Sequence, residues 1–172
     1  RSSDLAREEW NYGMVKREAE DVFMQAYEAH GFPYTTLRLP MVNSKRDPFK
    51  RLYNYILRLK DGGPILVPET PNYPLRHVYG EDVVAVVQRL IDSGLGKGDA
   101  FNVCQDETVS IGAFIELLAD LLQVTPRICR AKRSHLIAEG FLPDCSPFSE
   151  HWMSELTNDK SKRELGIGYT PL

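Results

Sequence analysis

Helical stretches alternate with short apolar strands along this whole chain, and that alternation leaves few folds open. Tyr12, Val15, Ala19, Val22, Phe23 and Ala26 repeat with the period of one helix face, within a stretch from Arg7 to His30. Gly31 is placed to cap that helix and Pro33 to stop it. Tyr34 to Leu39 reads as a strand closed by Pro40. Asp47 and Pro48 are expected to open a second helix, with Asp47 as N-cap and a stripe of Phe49, Leu52, Tyr53, Ile56 and Leu59. Pro64 to Pro68 forms a short strand, and His77 to Tyr79 is extended. Glu81 and Asp82 start a helix that ends at Ser93-Gly94. Ala100 to Cys104 is a strand, and Ser110 caps a helix from Ile111 to Gln123. A strand at Ile128, a helix from Ala131 to Glu139, a loop from Phe141 to Phe148 and a helix from Asp159 to Leu165 complete the pattern. Strands joined through helices pair in parallel. The expected fold class is therefore α/β.

The chain has 172 residues, 42% hydrophobic and 26% charged, which suits one folded domain and excludes a wholly disordered chain. A net charge of −3 offers no basic field, so nucleic acid is not an expected partner. No apolar run approaches ~20 residues, so no membrane span is expected. Three cysteines, an odd count without a close pair, favour a reducing cytoplasm. Cys129 with His135 and Cys145 with His151 share one spacing, but neither makes the close ligand pairs that zinc sites use, and no metal is expected. The chain starts without Met and without a signal segment, which hints at a piece of a longer protein.

One spacing carries chemistry. Tyr12-Gly13-Met14-Val15-Lys16 puts a phenol and an ammonium one helical turn apart on one face. A cation beside a phenol favours the phenolate, and such a phenol can exchange a proton with a hydroxyl or carbonyl. Other residues read more blandly. Arg38, in a strand, is expected to pair with a carboxylate. Asp82 is read as a helix cap, His77 as packed at the sheet edge, and Trp10 as packing at the helix start or lying over the site. The clusters at Lys45-Arg46, Lys50-Arg51 and Lys132-Arg133 read as solvated faces.

Five blocks in order resemble the extended short-chain dehydrogenase/reductase family of NAD(P)-dependent epimerases and dehydratases. They are N-Y-G-M-V-K-R-E-A-E, Y-T-T-L-R-L-P-M-V, H-V-Y-G-E-D-V-V, F-N-V-C followed by S-I-G-A-F-I-E-L-L, and K-S-K-R-E-L-G. The resemblance implies the C-terminal portion of a Rossmann-like parallel sheet with a small substrate-binding subdomain. Residues 1–44 and 74–110 would be Rossmann-side elements, and 45–73 with 111–172 mainly the subdomain. It implies Tyr12 as general acid/base and Lys16 as the group that holds the nicotinamide ribose. Pro40 and Val42 would border the nicotinamide of NAD or NADP, and Asn43, Ser44 and Arg76 would face a small-molecule substrate. Arg76 stands one position beyond the place where related sugar-nucleotide enzymes carry a phosphate-clamping arginine. No strand here is followed by a glycine-rich phosphate turn, so this chain alone is expected to bind a dinucleotide weakly. The implied parent is a homodimeric enzyme acting on a hydroxyl or ketone, such as that of a nucleotide sugar. The alternative is a non-catalytic protein, RNA-binding or structural, on the same scaffold.

Overall fold

The computed structural model describes residues 2–69, 73–142, 144–149 and 156–172. The elements are α1 (Ser2–His30), β1 (Thr35–Arg38), β2 (Met41–Asn43), α2 (Arg51–Lys60), β3 (Pro64–Pro68), β4 (His77–Tyr79), α3 (Gly80–Ser93), β5 (Asp99–Asn102), α4 (Ile111–Leu122), β6 (Arg127–Ala131), α5 (Arg133–Ala138) and α6 (Asp159–Leu165), with a 3-10 turn at Pro147–Ser149.

Among the described residues three strand pairs form, and all are parallel: β1 with β5, β2 with β4, and β3 with β6. The expected neighbours thus pair in register, Leu37 opposite Phe101 and Arg38 opposite Asn102. The expected end at Pro40 is only a break. A residue without an N–H cannot extend the β1–β5 ladder, and the chain resumes at Met41 with a new partner, Val42 lying opposite Val78. The segment after β5 links the two pairs. Val103 N donates to Arg38 O at 3.0 Å, and Gln105 N to His77 O at 2.9 Å.

Caps fix the helices locally. Ser110 Oγ accepts from Ala113 N, and Gly94 and Gly166 end α3 and α6 in left-handed backbone. Gly98, at φ 77°, lies against Tyr27 of α1, whose ring would stand only 2.4 Å from an added Cβ. The Gly94–Gly98 run therefore serves a close helix-to-strand turn. The second helix departs from expectation. It begins at Arg51, not Pro48, because Lys50 takes a left-handed conformation at φ 52°. Asp47 still satisfies amides, those of Phe49 and Arg51, and pairs in a fork with the Arg51 guanidinium.

Two apolar clusters form the interior. Val78, Val86, Phe101, Val103 and Leu165 make one, so α6 packs on β5 and α3, although it ends the range assigned mainly to the subdomain. The other joins α2, β3 and α4 through Tyr55, Leu59, Val67, Phe114, Ile115 and Phe148. Phe148 is fully buried, with ring centroids 4.7 Å from His77, 5.2 Å from Tyr55 and 5.4 Å from Phe114. The stripe on α1, by contrast, stays open. Tyr12, Val15 and Val22 are each at least 60% exposed, and Trp10 is exposed as well. The periodicity marks a face, and periodicity cannot say what covers it.

Phe148→Ala is expected to lower the unfolding free energy by about 3–5 kcal/mol, read from the urea midpoint. A loss under about 1 kcal/mol would show that the 146–149 segment is not part of this core.

Candidate functional site

Tyr12 and Lys16 lie on one face of α1, where Lys16 Nζ sits 5.4 Å from the Tyr12 ring centroid, over its face. Gly13 between them has nothing near it, and the Tyr12 side is open to solvent. One turn further on, Glu20 takes a two-point contact from Arg38, with Nε to Oε1 at 3.1 Å. The expected carboxylate for Arg38 is thus Glu20, although the pair is largely exposed. The guanidinium holds the Glu20 carboxyl below its usual range. Phe23 and Tyr27 pack on Tyr34 at 5.9 and 6.1 Å. These contacts tie the Tyr12 helix to β1, just before the break at Pro40. Two bonds to one partly exposed carboxylate orient the helix more than they stabilise it.

Beyond the break, Val42 is half-buried in β2 and Asn43 ends it. Asn43 Nδ2 donates to His77 Nδ1 at 3.0 Å, a contact spanning 34 residues. Since an amide nitrogen only donates, His77 Nδ1 accepts and the ring proton lies on Nε2. His77 is 1% exposed, wedged between the Phe114 and Phe148 rings, and its Nε2 finds no partner among the described residues. Burial, aided by the Arg51 charge, pushes its pKa from 6.5 down to about 4. It is deeper than the sheet edge that the sequence suggests.

Ser44 Oγ accepts from Arg46 N, and the Ser44 Cβ lies so close to Gly80 that an added methyl there would stand 3.0 Å away. Arg76 is spent internally: Nε on Thr108 Oγ1 at 2.9 Å, one terminal nitrogen on Leu156 O and the other on Asp106 O at 2.9 Å. All three nitrogens hold loop atoms. Asp82, read as a cap, instead accepts the amide and hydroxyl of Thr170, each at 2.8 Å. His151 lies outside the described residues, so only Cys129 and His135 of the doubled spacing have described positions.

Two lining residues escaped the sequence reading. Gln105 and Tyr79 border, with Asn43, a cavity of about 220 Å³ beside α4. No local signal marks them, because they meet only when β4 pairs with β2. Neither Tyr12 nor Lys16 lines that cavity.

The fold is shared with solved enzymes. UDP-glucose 4-epimerase from Thermotoga maritima, solved with UDP-glucose, superposes with a TM-score of 0.68 at 20% identity, over 92% of this chain and 48% of that one. dTDP-glucose 4,6-dehydratase from Bacillus anthracis, solved with NAD, gives 0.71 at 14% identity, over 92% and 46%. UDP-glucuronic acid 4-epimerase from Bacillus cereus, solved with UDP-glucuronic acid and NAD, gives 0.69 at 17% identity, over 94% and 47%. The chain thus spans about half the length of these enzymes. No curated protein matches significantly. The model of the NAD dependent epimerase/dehydratase family matches residues 2–104, more than half of the chain, and the protein belongs to that family. Among the described residues, no helix is long and apolar enough to cross a membrane.

The buried imidazole makes stability pH-dependent. The unfolded chain takes up this proton near pH 6.5, whereas the folded chain resists until about pH 4. Between those values the unfolded state binds more protons, so the contribution is complete above pH 6.5 and is lost as pH falls. Its size is about 3 kcal/mol. Urea unfolding across this window should show the slope, and His77→Gln should flatten it. An unchanged slope in the variant would rule out His77 as its source.

Proposed function

We propose that this chain is the part of an NAD(P)-dependent epimerase, dehydratase or reductase that carries the proton-transfer tyrosine and the substrate side. The observation that carries the reading is the Tyr12–Lys16 pair, held together on an open face of α1 inside the family match. The residues present fit the nicotinamide-ribose end of a dinucleotide. Lys16 offers an ammonium and Tyr12 a hydroxyl at one exposed place, which suits ribose hydroxyls. Among the described residues no strand leads into a glycine-rich phosphate turn, so the pyrophosphate lies outside this assignment.

Bound nicotinamide supplies the hydride acceptor and donor. The rest falls to the chain. The Tyr12 hydroxyl moves a proton at the substrate oxygen, and Lys16, standing over its ring, holds the ribose beside it. Pro40 and Val42 bound the site beside the strand break, and the Glu20–Arg38 pair sets the helix against it. Asn43 and Ser44 face the substrate. Arg76, whose nitrogens are engaged, acts by shaping the 105–108 loop rather than by clamping a phosphate. The substrate is a hydroxyl or keto compound, and the nucleotide sugars of the solved neighbours are the first class to assay. The exposed apolar residues of α1 are assigned to the homodimer contact or to the remainder of the enzyme, in a cytoplasmic setting.

In the enzyme that carries this chain, Tyr12→Phe is expected to lower kcat by 10²- to 10⁴-fold, roughly the contribution of a positioned acid/base group, while cofactor affinity changes little. Lys16→Met should lower kcat and weaken cofactor binding together. Nicotinamide absorbance and cofactor titration read the two effects. Full turnover in Tyr12→Phe would remove the assignment of Tyr12, and absence of turnover in the unaltered protein would favour a non-catalytic scaffold.

A further inference from the structure

The cavity bordered by Asn43 is walled chiefly by Leu52, Phe114, Leu117, Leu118, Leu121 and Leu172, and none of the described residues lining it is Asp, Glu, Lys or Arg. Leu121 is 73% exposed, an apolar side chain left in water at the wall of an apolar hollow. Two described carboxylates stand beside lining residues. Asp82 holds Thr170, which lines the cavity, and Glu81 sits against the lining Tyr79, whose phenol pKa it raises with help from Asp82. Arg51, which lies near His77, is already paired with Asp47. A diphosphate brought here would meet no lining Lys or Arg among the described residues, whereas phosphate recognition needs such cations.

The polar end of the cavity has a direction. Asn43 and Gln105 line it, and both side-chain amide nitrogens are committed to the protein: Asn43 Nδ2 to His77 Nδ1 at 3.0 Å, and Gln105 Nε2 to Glu107 O at 3.3 Å. Gln105 is only 4% exposed. No described donor reaches either amide oxygen, so a ligand would meet two acceptors and should bring a donor.

We propose that this cavity binds an uncharged, apolar group bearing a hydroxyl, which donates to Asn43 Oδ1 or Gln105 Oε1, and that His77 is the positioning residue that holds Asn43 in that orientation. The inference rests on the function proposed above only in calling the molecule a substrate. Because Tyr12 and Lys16 do not line the cavity, it takes the non-reacting part, whose binding can be used to place the reacting part. At about 220 Å³ it suits a small ring system rather than a whole nucleotide.

The test uses the 172-residue chain, with naphthol, the methyl ether of naphthol and UDP-glucose as probes, by titration and amide NMR. Naphthol should bind about fivefold more tightly than its ether, the scale of one hydrogen bond, with shifts at Gln105 and Leu118. Asn43→Leu together with Gln105→Leu should erase that preference while leaving ether affinity in place. Leu121→Arg, at an exposed position that does not endanger folding, should weaken both naphthalene probes. His77→Phe should narrow the preference, and imidazole NMR of the unaltered chain should show a bare Nδ1 and a protonated Nε2. Equal binding of naphthol and ether, absence of naphthol binding, or UDP-glucose shifts centred on the cavity would each overturn the proposal. None of these titrations needs a cofactor, so their failure leaves the Tyr12 assignment standing, and failure of the Tyr12→Phe experiment leaves the cavity assignment standing.

Discussion

Pro40 carries no backbone N–H, so the ladder that β1 forms with β5 stops there. The chain remains extended and re-pairs at once, β2 with β4. That change of partner sets the surroundings of the proposed site. Before the break, Arg38 reaches back to Glu20 and ties down the helix of Tyr12 and Lys16. After it, Asn43 arrives opposite β4 and meets His77. The segment 103–105 bonds to both sides, to Arg38 O and to His77 O, and keeps the two strand pairs from drifting apart.

His77 is the unusual filler of this core. A ring N–H left without a partner costs about 1–3 kcal/mol, whereas aromatic contacts such as those with Phe114 and Phe148 contribute about 0.5–1.5 kcal/mol each. The packing roughly offsets an Nε2 without a partner among the described residues. A phenylalanine would fill the same space without that cost. What the imidazole adds is an acceptor for Asn43, and with it a fixed direction for the amide that borders the cavity.

The charged residues divide by what the chain needs nearby. Arg76 fastens β4 to the 105–108 loop and to Leu156, and Lys162 and Asn158 draw on Asp106 in the same region. These bonds hold α6 and its flanks against β5. The Tyr12–Lys16 face has no such partner among the described residues and is exposed, with Val15 and Val22 beside it. Arg76 and Lys162 are thus taken up by structure, while the Tyr12–Lys16 pair on α1 is exposed.

The order of helices and strands was legible because caps, prolines and periodicity act within a few residues. Ser110, Gly94 and Gly166 stop or start helices where the spacing predicts, and Tyr12 with Lys16 are brought together by one helical turn. The start of α2 was misread because the left-handed turn at Lys50 is not encoded by a glycine. Partners far apart in sequence carried no local mark: Asn43 and His77 are 34 residues apart, and Arg76 and Leu156 are 80 apart. The sequence by itself determined the elements, the parallel α/β class and the tyrosine–lysine pair, because each follows from short-range geometry. Only the tertiary structure decided that His77 is buried and neutral, that Arg76 is occupied and that a cavity lined by no Asp, Glu, Lys or Arg side chain among the described residues opens beside Asn43, because each of these depends on which strands meet.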